Sequence, residues 1–142
     1  MPQMIFVNLP VADLAVSKAF YEAIGAVNEP KFTNDEAACM VISDTIFVMI
    51  MTHEKFRQFS PKAIPNAHET AQVLLALSAD SREAVDNMTA KAGAQGVKLD
   101  PCPRQDYGFM YGRSFEDPDG HIWEVMWMDP AAVEGQPDTA AA

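Results

Sequence analysis

The chain has 142 residues, of which 49% are hydrophobic and 21% charged, and ten basic against twenty acidic residues give it a net charge of −10. This length suits one compact domain or two small modules, and the composition excludes collagen, coiled coils and global disorder. The longest apolar runs fall far short of the ~18 residues that a membrane span requires. Since an acidic chain repels phosphate backbones, we expect neither nucleic acid nor membrane as a partner.

The cysteines and the N-terminus favour a cytoplasmic protein. Cys39 and Cys102 form no Cys-x-x-Cys pair and belong to no cluster of metal-ligating residues. Residues 1–4 (Met-Pro-Gln-Met) lack the basic and apolar regions of a signal peptide. We therefore expect a reduced, cytoplasmic protein. Neither cysteine has a base beside it in the sequence, so we assign no nucleophile.

The first half of the chain reads as a strand, a helix and further strands. Met4–Val11 is apolar and β-prone, and Asp13 is a helix N-cap followed by apolar residues at roughly helical spacing as far as Gly25. Two apolar runs then predict two strands joined by a tight turn, Ala37–Ile42 and Thr45–Met51. His53–Phe59 is compatible with a short helix, which the following prolines end.

The second half repeats this order. A strand at Gln72–Ala79 precedes an N-cap at Asp80-Ser81 and a helix that ends at Gly93. Three strands are predicted after it, at Val97–Leu99, Phe109–Phe115 and Ile122–Met128. The two helix starts lie about 67 residues apart, which indicates an internal repeat of two strand–helix–strand–strand–strand modules. We place the first module at 1–60, a linker at 61–70, the second module at 71–130 and a flexible tail at 131–142.

Residues 117–120, Asp-Pro-Asp-Gly, predict a tight turn between the last two strands. The positions of Asp, Pro and Gly fit a type I turn with the glycine in the left-handed conformation. This turn pairs Ser114 with Glu124 and Gly112 with Met126, whereas a slip of one residue, which we rank second, places Arg113 beside Glu124. In the first register the packed face carries Arg113, Phe115, Trp123, Val125 and Trp127.

Glu124 is the strongest candidate for a functional residue. A carboxylate among methionines is costly unless it has a partner or lies near solvent. Glu124 therefore lies either in a solvent-accessible cleft or in a pair with Arg113 or a neighbouring Asn. An acid in an apolar cleft suits general acid–base chemistry.

Two segments resemble the vicinal oxygen chelate superfamily, which includes glyoxalase I, extradiol dioxygenases, fosfomycin-resistance enzymes and bleomycin-binding proteins. Residues 8–14, with Phe20-Tyr21 and Gly25, resemble its first strand and helix, and residues 115–124 resemble its final hairpin. The resemblance covers residues 4 to 128. It implies an α+β, glyoxalase-like fold in which two βαβββ modules form curved mixed sheets around a cleft. It does not specify an activity, because this fold hosts many chemistries.

The resemblance also indicates where a metal would be held. Metal-dependent members place His, Gln or Glu on four strands, and the corresponding positions here are Phe6, Leu74, the strand Thr45–Thr52 and Glu124. Of these positions, only Glu124 carries a side chain that can bind a metal ion, whereas catalytic metals need about three protein ligands. The resemblance thus implies a member without the usual metal site, and we expect no cofactor. A rebuilt divalent metal site would draw on His53, His68 and His121, which otherwise read as surface or capping residues.

The resemblance further implies a small-molecule cleft beside Glu124. Asn8 and Ser114 offer polar groups, and Met126 offers adaptable apolar surface. Alternatively, Asn8, Ser114 and Glu124 hydrogen-bond one another in a filled core. The neighbouring strand contributes either Met49 and Met51 or, if its face is reversed, Val48 and Ile50. The candidate substrate-binding residues are Phe6, Asn8, Met49, Arg113, Ser114 and Met126, with Glu124 the candidate catalytic residue.

Three functions follow from these expectations. The first is a homodimeric binding protein that resembles bleomycin-binding proteins and holds a small amphiphile. The second is a lyase or isomerase resembling glyoxalase I (lactoylglutathione lyase), in which Glu124 moves a proton next to a carbonyl. The third is a metal-dependent dioxygenase with relocated ligands. We favour a family member of unassigned substrate, with binding and lyase-type chemistry close to even.

Overall fold

Each half of the chain builds one four-stranded mixed sheet in the computed structural model, which describes residues 2–134. The chain divides into two units. The first unit comprises the described residues as far as Gln72 together with Asp117–His121, and the second comprises Val73–Glu116 and the described residues from Ile122 onward. The turn that joins the last two strands therefore belongs to the first unit.

The first unit contains the elements β1 (Ile5–Val11), α1 (Leu14–Ala23), β2 (Val27–Glu29), β3 (Ala37–Val41), β4 (Ile46–Thr52) and α2 (His53–Arg57). Its sheet has the order β1-β4-β3-β2, with β1 parallel to β4 and the other neighbours antiparallel. Helix α1 begins where predicted, because the Asp13 side chain accepts a hydrogen bond from the Val16 amide at 3.2 Å. It ends before Gly25, whose φ of 113° favours glycine.

The second unit contains β5 (Leu75–Ser78), α3 (Arg82–Gly93), β6 (Gln105–Asp106), β7 (Met110–Glu116), β8 (Ile122–Met128) and α4 (Pro130–Glu134). Its sheet has the order β5-β8-β7-β6, with β5 parallel to β8. The N-cap of α3 is Ser81, whose hydroxyl accepts from the Ala84 amide at 3.0 Å. Within residues 2–134, no helix has the length and apolar content needed to cross a lipid bilayer.

Each unit has its own apolar core between a helix and a sheet. In the first unit, α1 packs over β3 and β4 and buries Phe20, Met40, Val48 and Ile50. In the second unit, α3 packs over β7 and β8, and the buried side chains are Val85, Phe115, Trp123 and Val125. Each such side chain contributes roughly 1.5–3 kcal/mol when fully buried.

The α+β fold class and the register of the last hairpin are confirmed. Ser114 pairs with Glu124 and Gly112 with Met126, and the Asp117 amide donates to the His121 carbonyl at 2.9 Å. Gly120 has the predicted left-handed conformation, with φ 95°. The alternative register does not form, since Arg113 pairs with Val125.

Several short elements differ from the sequence-based expectations. The strand predicted at Val97–Leu99 is reduced to a single bridge between Leu99 and Phe115, and the edge position of the sheet is taken by β6. The repeat predicts a third strand after the first helix but not where it lies, because the three residues of β2 are too few to show a period. Of the tail predicted to be flexible, residues 131–134 lie in α4, and residues 135–142 lie outside the described residues.

Candidate functional site

Glu124 lies in the middle of β8 on the face opposite the packed core of the second unit. It is half-buried, and its carboxylate has no hydrogen bond or ion pair within the described part of the chain. Its cross-strand partner Ser114 is 3% exposed, and the Ser114 hydroxyl accepts from the Cys102 amide at 3.4 Å. The pocket beside Glu124, which Cys102 and Met126 also line, measures about 20 Å³ and has room for about one water molecule. Within this unit, Glu124 is thus half-exposed and borders a small recess.

Arg113 belongs to the opposite face of β7 and forms an ion-pair network. Its Nε and Nη2 donate to the two Asp100 oxygens at 3.2 and 2.8 Å, and its Nη1 donates to Asp86 of α3 at 3.2 Å. The Arg113 guanidinium lowers the pKa of the Asp100 carboxyl. The Tyr111 hydroxyl, 2.6 Å from Asp86, is the main cause that lowers the pKa of that carboxyl. The Arg113 side chain, 11% exposed, is therefore committed to structural partners.

The candidates from the first unit share one face of its sheet. Asn8 is in register with Met49, and Phe6 is in register with Phe47, on which its ring stacks at a centroid distance of 4.7 Å. Asn8 is exposed, and its amide nitrogen donates to the Phe6 carbonyl at 3.0 Å. Of the two alternatives for β4, the structure has Met49 and Met51 on this face, since Val48 and Ile50 are fully buried on the α1 side.

The same face extends to β3 and β2, where sequence analysis proposed no site residue. Met49 is in register with Cys39, and Cys39 is in register with Glu29. Burial raises the pKa of the Cys39 thiol, and the neighbouring Glu29 carboxylate raises it further. A thiol held in its protonated form is a weak nucleophile, which agrees with the absence of any role for Cys39 in the sequence analysis.

The turn at residues 117–121 is held by a buried carboxylate. Asp117 is 1% exposed and accepts hydrogen bonds from the Tyr21 hydroxyl at 2.6 Å, the Asp119 amide at 3.0 Å and the His121 amide at 2.9 Å. Burial raises the pKa of this carboxyl, and the hydrogen bonds and nearby His121 only partly oppose that rise. Asp119 accepts from the Ala12 amide at 2.8 Å and from the Ser17 hydroxyl at 3.2 Å.

The residues present do not fit a protein-held divalent metal ion. Phe6 and Leu74 carry hydrocarbon side chains at two of the four positions at which the resemblance implies ligands, and no residue of β4 has a carboxylate, imidazole or amide side chain. Across residues 2–134, no group of three His, Cys, Asp or Glu side chains is arranged to hold a metal ion. Glu124 alone supplies too few donors, so we derive no metal-dependent step.

Comparisons with known proteins agree with this fold. A family model described as the Glyoxalase/Bleomycin resistance protein/Dioxygenase superfamily matches residues 3–125. No curated protein shows significant sequence similarity to the chain.

Solved structures provide a second comparison. A hypothetical protein from S. aureus is similar to this chain with 25% identity and a TM-score of 0.75, over 89% of this chain and 95% of that one. A glyoxalase/bleomycin resistance protein/dioxygenase family enzyme from Burkholderia phytofirmans PsJN has 21% identity and a TM-score of 0.71, over 89% and 99%. The fosfomycin resistance protein FosX from Listeria monocytogenes has 21% identity and a TM-score of 0.67, over 92% and 96%. The last two likenesses show the fold alone.

Proposed function

Because the chain belongs to the glyoxalase/bleomycin resistance protein/dioxygenase superfamily, we propose that it binds a small amphiphilic molecule without a protein-held metal ion. The observation that carries this proposal is the Glu124 carboxylate, which is half-buried on a sheet face and has no partner among the described residues. A carboxylate that no described side chain or amide occupies can accept a hydrogen bond from a ligand donor or pair with a positively charged ligand group.

The surroundings of the candidate residues support an amphiphilic ligand. In the second unit, Met126 lies two residues beyond Glu124 on the same face of β8. Adaptable methionine surface beside a single polar group is typical of small-molecule sites.

The electrostatics favour a cationic or hydrogen-bond-donating ligand over an anion. The chain carries a net charge of −10, and within residues 2–134 the Glu124 carboxylate forms no ion pair. Arg113, the nearest cation along β7, is committed to Asp100 and Asp86 on the other face. The ligand we propose is therefore a small apolar molecule that carries an amine or another strong donor.

A lyase or isomerase activity is the second candidate, and the same carboxylate favours it. An unpartnered glutamate can take a proton from a carbon next to a carbonyl and return it to the adjacent atom, which moves a proton without any external oxidant or reductant. Glu124 is the only residue to which we give this role, and Ser114 and Met126 beside it supply contacts rather than proton transfer.

The test compares Glu124→Gln with Glu83→Gln, an exposed glutamate on α3 of the same unit. We expect wild type to bind benzylamine more tightly than benzyl alcohol and to bind benzoate least. Glu124→Gln should weaken benzylamine binding about tenfold, measured by calorimetry, and leave benzyl alcohol binding within about twofold. Glu83→Gln should change neither. Equal binding of benzylamine by wild type and Glu124→Gln would contradict the proposal, as would tightest binding of benzoate.

A turnover assay separates the two candidates. Wild type and Glu124→Gln are incubated with the hemithioacetal of a 2-oxoaldehyde, and thioester formation is followed by absorbance. Formation by wild type and its loss in Glu124→Gln would establish the lyase-type activity. Benzylamine binding without turnover would support the binding function and exclude the lyase-type activity on this substrate.

A further inference from the structure

Gly112 lies in the interior of β7, where a glycine weakens the strand unless the local structure requires one. Three features usually require it: a left-handed backbone conformation, a bulge, or the close approach of a neighbouring group. Gly112 is not among the glycines of positive φ. Its strand pairs residue for residue with β8 from Met110 to Glu116 and with β6 at Gln105 and Asp106, so these pairs contain no bulge.

The surroundings of Gly112 also leave room for a side chain. A Cβ placed on it would lie 3.6 Å from the Met126 Cβ and 3.7 Å from the Val125 carbonyl oxygen, which are ordinary van der Waals distances. Apart from its chain neighbours, no other atom of the described residues lies within 4 Å of that position. An alanine would therefore fit at position 112, and the fold itself gives no reason for a glycine there.

Gly112 borders the recess beside Glu124. It is in register with Met126 of β8, and Ser114, two residues further along β7, is in register with Glu124. Directly paired residues share a face of a sheet, so a side chain at position 112 would project on the face that carries Glu124 and Met126. The residues that line the recess of about 20 Å³ include Gln105, Gly112, Glu124 and Met126. The missing side chain of Gly112 thus keeps this recess open.

The face around Gly112 forms a slot with a polar and an apolar end. Gln105 on β6 and Met126 on β8 flank Gly112, whose backbone is the floor between them. Glu124 lies at one end, roughly 7–8 Å from Gly112 between Cα atoms, because the two are diagonal neighbours across antiparallel strands. Met128, which is 41% exposed, continues the same face of β8 at the other end. The slot therefore presents a carboxylate at one end and hydrocarbon at the other.

We propose that Gly112 is a specificity-determining residue of the Glu124 site, an inference that rests on the function proposed above. The amine of the ligand pairs with the Glu124 carboxylate. The apolar part of the ligand lies along the slot and contacts the backbone of Gly112, an approach that a side chain at this position would block. The site thereby prefers an amine that carries a flat apolar group to a small amine that reaches Glu124 alone.

Gly112→Ala and Gly112→Val test this proposal. The control is Val73→Ile, because it enlarges an exposed side chain of the same unit that does not line the recess. NMR titration measures the dissociation constants of benzylamine, which has a flat apolar group, and of ethylamine, which lacks one. Gly112→Ala should weaken benzylamine binding about threefold and Gly112→Val about tenfold or more, whereas both should leave ethylamine binding within about twofold. Val73→Ile should change neither.

Two further measurements separate this role from a structural one. The Tm of Gly112→Ala should equal or exceed that of wild type, since replacing a glycine in an unstrained conformation reduces the entropy of the unfolded chain. Light scattering should give Gly112→Ala the same mass as wild type. A Tm lower by several degrees, or a changed mass, would show that the glycine serves the fold or an interface between copies and would overturn the proposal.

The failure of this inference is distinguishable from the failure of the proposed function. The inference alone is overturned if Glu124→Gln weakens benzylamine binding but neither substitution of Gly112 does. Equal weakening of benzylamine and ethylamine by Gly112→Ala would also overturn it, because the added methyl group would then disturb Glu124 itself. If wild type binds neither amine, or if Glu124→Gln binds benzylamine as wild type does, both the proposed function and this inference are overturned.

Discussion

The buried carboxylate of Asp117 shows how one residue can fix a turn and still cost stability. Its two oxygens accept three hydrogen bonds, from Tyr21, Asp119 and His121. Burial nevertheless penalises the charged form, and this is the main reason why the pKa of Asp117 is raised. The hydrogen bonds stabilise the turn, whereas the negative charge disfavours burial of the Asp117 carboxylate.

This balance predicts a pH-dependent difference between wild type and Asp117→Asn. A carboxyl whose folded pKa is raised gives its full contribution below the unfolded pKa of about 3.9 and loses it as the pH rises through the folded pKa. The wild-type free energy of unfolding minus that of Asp117→Asn should therefore fall as the pH rises above about 4. Urea denaturation at five pH values measures it. A difference that grows with pH would show that the ionised form is the better tolerated one.

At the scale of elements, Arg113 links β7 to α3 and to the loop before β6. It contacts Asp86 on the helix and both oxygens of Asp100, which has a φ of 51°. Since Asp tolerates the left-handed region better than most residues, Asp100 can serve both the bend and the ion pair. The network therefore fastens an irregular loop to the helix and the sheet.

Replacement of Arg113 should expose this role. We expect Arg113→Met to reduce the free energy of unfolding by about 2 kcal/mol at pH 7, chiefly because it removes the paired hydrogen bonds to Asp100, since the pair with the half-exposed Asp86 is screened by solvent and adds little. Arg57→Met, an exposed change on α2, should cost less than about 0.5 kcal/mol. The pKa values of Asp86 and Asp100 are lowered in the folded state. The Arg113→Met deficit should therefore be constant above about pH 5 and shrink as the pH falls below about 4. A deficit independent of pH would contradict the ion-pair explanation.

The turn at residues 117–121 supplies a second prediction at this scale, from two glycines with positive φ. Gly120→Ala adds a methyl group 2.6 Å from a backbone nitrogen at φ 95°, whereas at Gly96, with φ 83°, an added Cβ meets nothing within 4 Å. Gly96→Ala should cost about 1 kcal/mol of unfolding free energy from backbone strain alone. Gly120→Ala should cost about 3 kcal/mol, since strain and overlap add. Equal thermal shifts for both variants would mean that the turn does not pack closely on residues 67–68.

For the whole molecule, the donor set predicts that stability does not depend on metal. Removal of divalent ions with EDTA should leave the Tm unchanged within error, because no described group of three ligands could hold such an ion. Addition of Zn²⁺ at ten times the protein concentration should not raise the Tm. Scanning fluorimetry with and without each reagent checks both statements. A rise of several degrees with Zn²⁺ would indicate a rebuilt metal site.

The oligomeric state is a separate prediction for the whole molecule. The resemblance implies a homodimer, and apolar side chains at the sheet edge formed by β1 agree with it, since Ile5 is 57% and Phe6 49% exposed. Light scattering after size exclusion should give twice the mass of 15.6 kDa. Ile5→Lys should convert the particle to the monomer mass. A monomeric wild type would refute the prediction.

The elements that could be predicted from sequence are those whose signals are local. The Asp-Pro-Asp-Gly turn defines the register of β7 and β8, and Asp13 defines the start of α1. Strands β2 and β6 have three and two residues, so no hydrophobic period can reveal them. The segment Val97–Leu99 has a strand-like composition, yet only Leu99 forms a bridge, because β6 takes the edge position.

The site residues likewise differ in how far the sequence could predict their positions. The faces of Glu124 and Ser114 follow from alternation along a hairpin of known register. A pocket of about 310 Å³ in the first unit, which His53, His68 and His121 line, could not be predicted, because it depends on the close approach of Gly120 to a segment about fifty positions earlier in the chain. The role of Arg113 was missed for a related reason, since the loop that carries Asp100 has no periodic signal.

The assignment of Asp117–His121 to the first unit has a consequence for biosynthesis. Tyr21 and its acceptor Asp117 are 96 positions apart. At translation speeds of about 5–20 residues per second, the nascent helix waits about 5–20 s for that acceptor to emerge from the ribosome. The first unit therefore cannot complete its native hydrogen bonds until residues 117–121 have left the ribosome, and a chaperone that shields α1 in this interval should raise the yield of folded protein.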